Sequence, residues 1–328
     1  MEVLLYIVNF LVISIVIQFS IATMLILFGK GKKPHPDKGG LAFNELFFDY
    51  TNLPPLQTFA TRDGKNMPYR RYPAQSDTVL ILVHGSGWHS QYFLPLAEFI
   101  SSEGLAEVYT PDIRGHGSMP ERRGDVDYID QLEDDLADLI SSIRQAHPSA
   151  KLIVGGHSSG GGLVIRFAGG RYAQQADAYV LLSPFLKYNA ATMRPNSGGW
   201  AIPYTGRIAG LTMLNMMGVH WCDSLTAIAF NMPEEARDGT ETLTYSHQLN
   251  TAYAPRNYKK DLSAITQPVL VVAGTADEAF FATQFEPVMS QYTAVEVSLL
   301  PGVTHMGLVV GPEVQLVLKD WLGSFSKR

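Results

Sequence analysis

The chain has 328 residues, enough for one large domain or two small ones with an ample core, which excludes a peptide, a repeat array or a disulfide miniprotein. Hydrophobic residues make up 46% and charged residues only 17%, below the roughly 25% of ordinary soluble domains, so some segment is unusually apolar and intrinsic disorder is excluded. The net charge of -6 offers no basic field for a phosphate backbone, which argues against a nucleic acid partner, and a single cysteine, Cys222, rules out an internal disulfide and any multi-cysteine metal cluster.

The apolar excess lies at the start. Residues 3–28 carry no ionisable side chain except Tyr6. As a helix they would reach about 39 Å, enough to cross a hydrocarbon core of about 30 Å with some tilt. A cleaved signal peptide wants a positive leader, a shorter apolar run and a small-residue cleavage site, whereas Glu2 is the only charged side chain ahead of this run. A buried core helix would show a polar stripe, and this one has none. Residues 1–29 are therefore expected to be an uncleaved transmembrane anchor that makes the bilayer a partner. Lys30, Lys32, Lys33 and Lys38 follow it and no Lys or Arg precedes it, so the positive-inside rule puts the remaining chain in the cytoplasm. Residues 30–40, with Pro34, Pro36 and glycines, read as a linker.

Beyond the linker, residues 57–60 and 67–72 flank the turn signal Asp63-Gly64 and predict an antiparallel hairpin. Short apolar runs then predict strands at 78–84, 107–112, 151–156, 178–183, 268–275 and 295–300; most are apolar throughout, as strands buried on both faces are. Helices are predicted between them at 92–101, 129–147, 159–169, 280–291 and 312–325. Alternation of this kind gives an α/β fold with a mostly parallel sheet flanked by helices. The rhythm breaks at residues 187–265, 79 residues with no clear strand. This segment, carrying Trp200, Tyr204, Met213, Met216, Met217, Trp221 and Phe230, is expected to be an inserted helical cap between a first core part, 41–186, and a second, 266–328. Its aromatic and methionine residues serve as the cap's own core, with some facing an acyl-chain pocket.

Gly156-His157-Ser158-Ser159-Gly160 matches G-x-S-x-G with Ser158 at the centre. By chance the pattern would arise in roughly one shuffled copy in six, so context must carry it. Here a predicted strand runs in and a predicted helix runs out, the strand-turn-helix setting in which such a serine is held on a strained turn. A serine hydroxyl needs a base, and the base needs orienting. Asp277, after the strand at 268–275, and His305, after the strand at 295–300, follow in the order Ser, acid, His; Glu278 stands beside Asp277 as an alternative acid. The backbone N–H groups of Ser86, in the turn His84-Gly85-Ser86-Gly87, and of Ser159 are the expected oxyanion donors. The glycines do not suit a phosphate cradle, since no Walker-type Gly-Lys-Ser/Thr exists.

His84-Gly85, Asp112-Ile113-Arg114-Gly115-His116-Gly117-Ser118, Gly156-His157-Ser158-Ser159-Gly160, Gly274-Thr275-Ala276-Asp277 and Gly302-Val303-Thr304-His305 together resemble the α/β-hydrolase superfamily. Within it the chain resembles the monoacylglycerol lipase and lysophospholipase branch, also grouped with serine aminopeptidases, over roughly residues 52–325. The resemblance implies that Asp112, Arg114 and His116 are architectural, and that the cap is where such relatives differ most. The expectation is a membrane-anchored serine hydrolase without metal or organic cofactor that cleaves lipid esters carrying one acyl chain. Two alternatives keep the fold: a peptidase or amidase, whose cap would hold a peptide amine with Glu234, Glu235 or Asp238, and a non-catalytic binding module. Oligomeric state is left open.

Overall fold

The computed structural model describes residues 1–31 and 40–327. Most of the expected linker, with Lys32, Lys33 and Lys38, lies outside the described residues. Helix α1 (Glu2–Phe28) forms from the apolar run, is exposed along nearly all of its length, and is long and apolar enough to cross a membrane.

The predicted hairpin is present as β1 (Gln57–Ala60) and β2 (Asn66–Tyr72). The six predicted apolar strands follow as β3 (Thr78–Val83), β4 (Glu107–Pro111), β5 (Lys151–His157), β6 (Ala178–Leu182), β10 (Val269–Gly274) and β11 (Glu296–Leu300). They make one eight-stranded sheet in the order β1-β2-β4-β3-β5-β6-β10-β11, antiparallel through β4 at the hairpin edge and parallel from there on. Apolar runs become central strands because both faces are covered: Val79, Leu80, Ile81, Leu82 and Val83 are completely buried.

Helices α2 (Leu94–Ser102), α3 (Gln131–Ala146) and α4 (Ser159–Ala168) connect the early strands. In α3, Leu132, Leu136, Leu139, Ile140 and Ile143 make the buried stripe, while Glu133 meets the buried guanidinium of Arg166 from α4 at 2.6 Å. The chain runs from β3 to β4 on one side and then crosses to β5 on the other. At such a switch point the loops after neighbouring strands diverge and leave a crevice at the carboxyl edge. The turn after β3 and the turn after β5 flank it.

The segment between β6 and β10 departs from the expected all-helical cap. It contains β7 (Ala201–Pro203), α5 (Thr205–Met216), β8 (Thr226–Phe230), β9 (Thr244–Ser246), α6 (His247–Ala252) and α7 (Tyr258–Ser263), and the strands pair as a three-stranded antiparallel sheet. Strands of three to five residues show too little alternation to be read from a sequence. The predicted helix at 280–291 also shrinks, to α8 (Phe285–Met289). Here the chain is held extended: Phe280 forms an antiparallel bridge with Met193 and the N–H of Phe281 donates to the carbonyl of Thr192, so the α-helix begins only at Phe285. The short α9 (Gly307–Val310) and α10 (Pro312–Ser326) close the chain.

Candidate active site

Ser158 stands between β5 and α4 with φ +56° and ψ -120°, a region L-residues rarely adopt. Three backbone hydrogen bonds hold it there: its N–H donates to Leu182 O at 2.9 Å, and its carbonyl accepts from Gly162 and Phe185 at 3.1 and 2.9 Å. A Cβ at Gly160 would collide with the carbonyls of Val83 and His84, so only glycine lets α4 lie this close to β3. The hydroxyl is thereby raised into a cavity at the switch-point crevice, lined by Ser86, Ser159, Trp200, Ile228, Phe230 and Phe280 among others.

Asp277 and His305 are brought together by the loops after β10 and β11. Asp277 Oδ2 lies 2.8 Å from His305 Nδ1, and both side chains are buried. The other oxygen, Oδ1, accepts from Ala279 and Phe280 N–H at 2.8 and 2.9 Å. Burial pushes the Asp277 pKa up, but the neighbouring His305, the Ser183 hydroxyl and the Phe280 N–H together outweigh it and hold the carboxyl below its ordinary value. An ionised Asp277 makes Nδ1 the protonated nitrogen of His305 and leaves Nε2 free to accept, the tautomer a general base needs. Glu278 has a different task. Its carboxylate accepts from the backbone N–H of Ala42 at 3.1 Å and of His305 at 3.0 Å, so it fixes the histidine's main chain and not its ring.

Among the described residues Ser158 Oγ makes no hydrogen bond to His305. The two are joined through His157, whose ring packs on that of His305 with centroids 4.5 Å apart and whose Nε2–H donates to the His305 carbonyl at 3.1 Å. Nucleophile-to-base hydrogen bonds are often long before substrate binds.

The same histidine reaches the turn after β3. Because Nε2 of His157 donates, Nδ1 of the neutral ring accepts, from Tyr92 Oη at 3.1 Å, and Tyr92 Oη in turn accepts the N–H of Gly85. A second relay mirrors it from the cap: His116 Nδ1–H donates to backbone carbonyls, so His116 Nε2 accepts from Tyr245 Oη at 2.6 Å, and Tyr245 Oη accepts the N–H of Gly87 at 2.8 Å. Among the described residues this leaves Ser86, between the two glycines, as the turn's N–H without an acceptor; its hydroxyl accepts from Trp200 Nε1 at 3.3 Å. Ser159 N–H is likewise free at the start of α4. Tyr92, Tyr245 and the bridging role of His157 are not legible in the sequence, since an aromatic residue in a predicted helix or cap reads as core.

The remaining motif residues are structural. Asp112 accepts from the N–H of Ser90 at 2.9 Å, and Arg114 pairs with Asp135 and Asp63 at 2.7 and 3.0 Å. Asp238 is tied to Thr240 and Gln91, and none of Glu234, Glu235 and Asp238 lines the cavity beside Ser158. Among the described residues no group of three His, Cys, Asp or Glu side chains is placed to hold a metal ion.

Two measurable consequences follow from these relays. Tyr92→Phe removes the acceptor for Gly85 N–H and the donor to His157 in one step, and is expected to cost about 1–3 kcal/mol of stability and to lower kcat more than it changes KM. An unchanged kcat would show that the turn holds its shape without the relay. The second concerns acid. Burial lowers the His84 pKa to about 4 and those of His116 and His157 well below the ordinary 6.5, so the unfolded chain binds more protons than the folded one between those values. Stability is therefore full above about pH 6.5 and falls steadily toward pH 4. A thermal midpoint that stays constant from pH 7 to pH 4 would contradict it.

A family model described as serine aminopeptidase, S33, matches residues 74–309. The chain is 26% identical to the monoacylglycerol lipase of Mycolicibacterium smegmatis over 275 residues, covering 80% of this chain and 94% of that protein. It is also 26% identical to the monoglyceride lipase of Homo sapiens over 236 residues, covering 70% and 74%. Among solved structures it is similar to a soluble variant of monoglyceride lipase from Saccharomyces cerevisiae bound to a substrate analogue, with TM-score 0.65 and 19% identity over 85% of this chain and 98% of that one. The monoacylglycerol lipase of Paleococcus ferrophilus gives TM-score 0.62 and 20% identity over 79% and 99%. The chain belongs to the serine aminopeptidase S33 family of α/β-hydrolases, on its monoacylglycerol lipase-like branch.

Proposed function

We propose that the chain is a membrane-anchored serine hydrolase that cleaves carboxylic esters of single-acyl lipids, with residues 187–265 as the cap over its site. In this reading His305, oriented by Asp277, takes the Ser158 proton as Oγ attacks the ester carbonyl, and the oxyanion is received by the N–H groups of Ser86 and Ser159. His305 then returns the proton to the departing alcohol, and a water activated by the same imidazole releases the fatty acid and regenerates Ser158.

The observation that carries the substrate class is the lining of the cavity at Ser158. Among the described residues it contains no carboxylate and no cation, while Phe185, Met193, Trp200, Ile228, Phe230 and Phe280 offer apolar surface. Such a wall suits a hydrocarbon chain and gives the charged amine of a peptide no carboxylate to pair with. The similarity to named monoacylglycerol and monoglyceride lipases supports the same reading, and the exposed apolar α1 supports delivery from a bilayer. The Lys flank supports a cytoplasmic catalytic domain.

The test is a panel of monoacylglycerols, lysophospholipids and aminoacyl amides offered to the full-length chain in vesicles. Turnover of the single-acyl esters at least tenfold above the amides is expected; preference for aminoacyl amides would replace the ester reading by the peptidase one.

A further inference from the structure

Helix α1 divides at Ala22. Its 20 residues ahead of Ala22 are exposed but for the half-buried Ser14, whereas Ala22 and Ile26, one turn apart, are buried. At about 1.5 Å per residue this part is about 30 Å long, matching a hydrocarbon core of about 30 Å. The last two turns are seated on α5.

The seat is tight and has a direction. A Cβ on Gly206 would stand 2.8 Å from Gly29 Cα, and one on Gly210 would stand 2.6 Å from Ala22 O and 2.9 Å from Ile26 Cγ1, so the two backbones nearly touch. Because Gly206 meets Gly29 while Gly210 meets Ala22, α5 runs antiparallel to α1 and heads back toward the free, membrane-length part. Arg207 locks the crossing: its N–H and Nε donate to the carbonyls of Gly29 and Ile26, both at 3.3 Å, and its Nη1 donates to Thr226 O at 2.8 Å. Thr226 begins β8, the strand whose Ile228 and Phe230 line the cavity at Ser158. One guanidinium thus joins the end of the span to the cavity wall.

At the far end of α5 two large apolar side chains lie open. Met216 is 83% exposed and Trp221 88% exposed, while Trp88, Trp200 and Trp321 are all buried. Tryptophan with its ring in the open is disfavoured in water and favoured at the headgroup level of a bilayer.

We propose that the docked span holds this face of the cap on the membrane, with Met216 and Trp221 embedded in the interface of the same bilayer that α1 crosses. The cap is then fixed against its lipid source and does not swing on a flexible tether. This rests on the membrane-anchor reading above.

The experiment uses the full-length chain in phosphatidylcholine vesicles, with one lipid brominated near the carbonyl end of an acyl chain and, separately, near its methyl end. Tryptophan emission is expected to be quenched more strongly by the shallow bromines, and Trp221→Phe to remove most of that quenching. Gly206→Leu with Gly210→Leu is expected to leave the chain floating with the vesicles but to cut the quenching at least twofold, because the seat is broken while the span remains. A chain that floats with its tryptophan emission unquenched overturns the proposal and leaves the anchor reading intact, and the wild-type measurement alone decides this. A glycine variant quenched as strongly as wild type also overturns it. A chain that does not float overturns the anchor reading and this inference with it.

Discussion

Replacing Ser158 by glycine is expected to abolish ester turnover and at the same time to make the protein more stable. The loss should approach a millionfold in kcat, leaving only what the oxyanion donors and binding supply. The gain in stability comes from the backbone. At φ +56° and ψ -120° a residue with a Cβ is strained by about 1–3 kcal/mol, and glycine relieves this at an entropic penalty of about 0.5–1 kcal/mol. A net gain near 1 kcal/mol corresponds to a rise of roughly 2 °C in the thermal midpoint of a domain this size. Ser158→Ala separates the two effects: it loses the proposed nucleophile but keeps the Cβ, so it should be equally inactive without being stabilised. A glycine variant less stable than wild type would show that the elbow is not strained.

The next largest effect is expected at the acid. Asp277→Asn should lower kcat about ten-thousandfold, because an amide whose nitrogen faces Nδ1 forces the wrong tautomer on His305. Its neighbour provides the contrast. Glu278 holds the main-chain N–H of His305 and of Ala42, so Glu278→Gln keeps an acceptor and should cost about 1 kcal/mol of stability with less than about a tenfold change in kcat. Purified variants assayed side by side on one monoacylglycerol decide the matter. Equal losses, or a larger one at Glu278, would assign the acid to the wrong carboxylate.

Why these positions are legible in the sequence, and others not, has a physical basis. The parallel strands read clearly because burial on both faces demands unbroken apolar runs, as in Thr78–Val83 and Val269–Gly274. The order Ser158, Asp277, His305 reads clearly because the first two follow such strands and His305 follows the half-exposed edge strand β11, and strand ends converge on one edge of a parallel sheet. The choice between Asp277 and Glu278 does not, since adjacent carboxylates differ only in which way the loop turns them. The three-stranded sheet of residues 201–246 is hidden by its short strands, and the shortened helix near Phe285 by the pairing of Phe280 and Phe281 with Thr192 and Met193, a long-range contact that no periodicity reveals. Tyr92 and Tyr245 are invisible for a related reason: the hydroxyls that matter are carried on rings that also fill the core.

The apolar start shows the same limit. Its composition announces a span, but the docking of its last turns on Gly206 and Gly210 depends on a helix nearly two hundred residues away.

The proposed chemistry depends most directly on Ser158 being a nucleophile activated by the Asp277–His305 pair. Labelling the full-length chain with a fluorophosphonate, then locating the adduct by peptide mass spectrometry, tests that in one measurement. The adduct is expected on the peptide containing Ser158, absent from Ser158→Ala and formed far more slowly in Asp277→Asn. A wild-type chain that takes no label, or a Ser158→Ala chain that labels equally well, would contradict it.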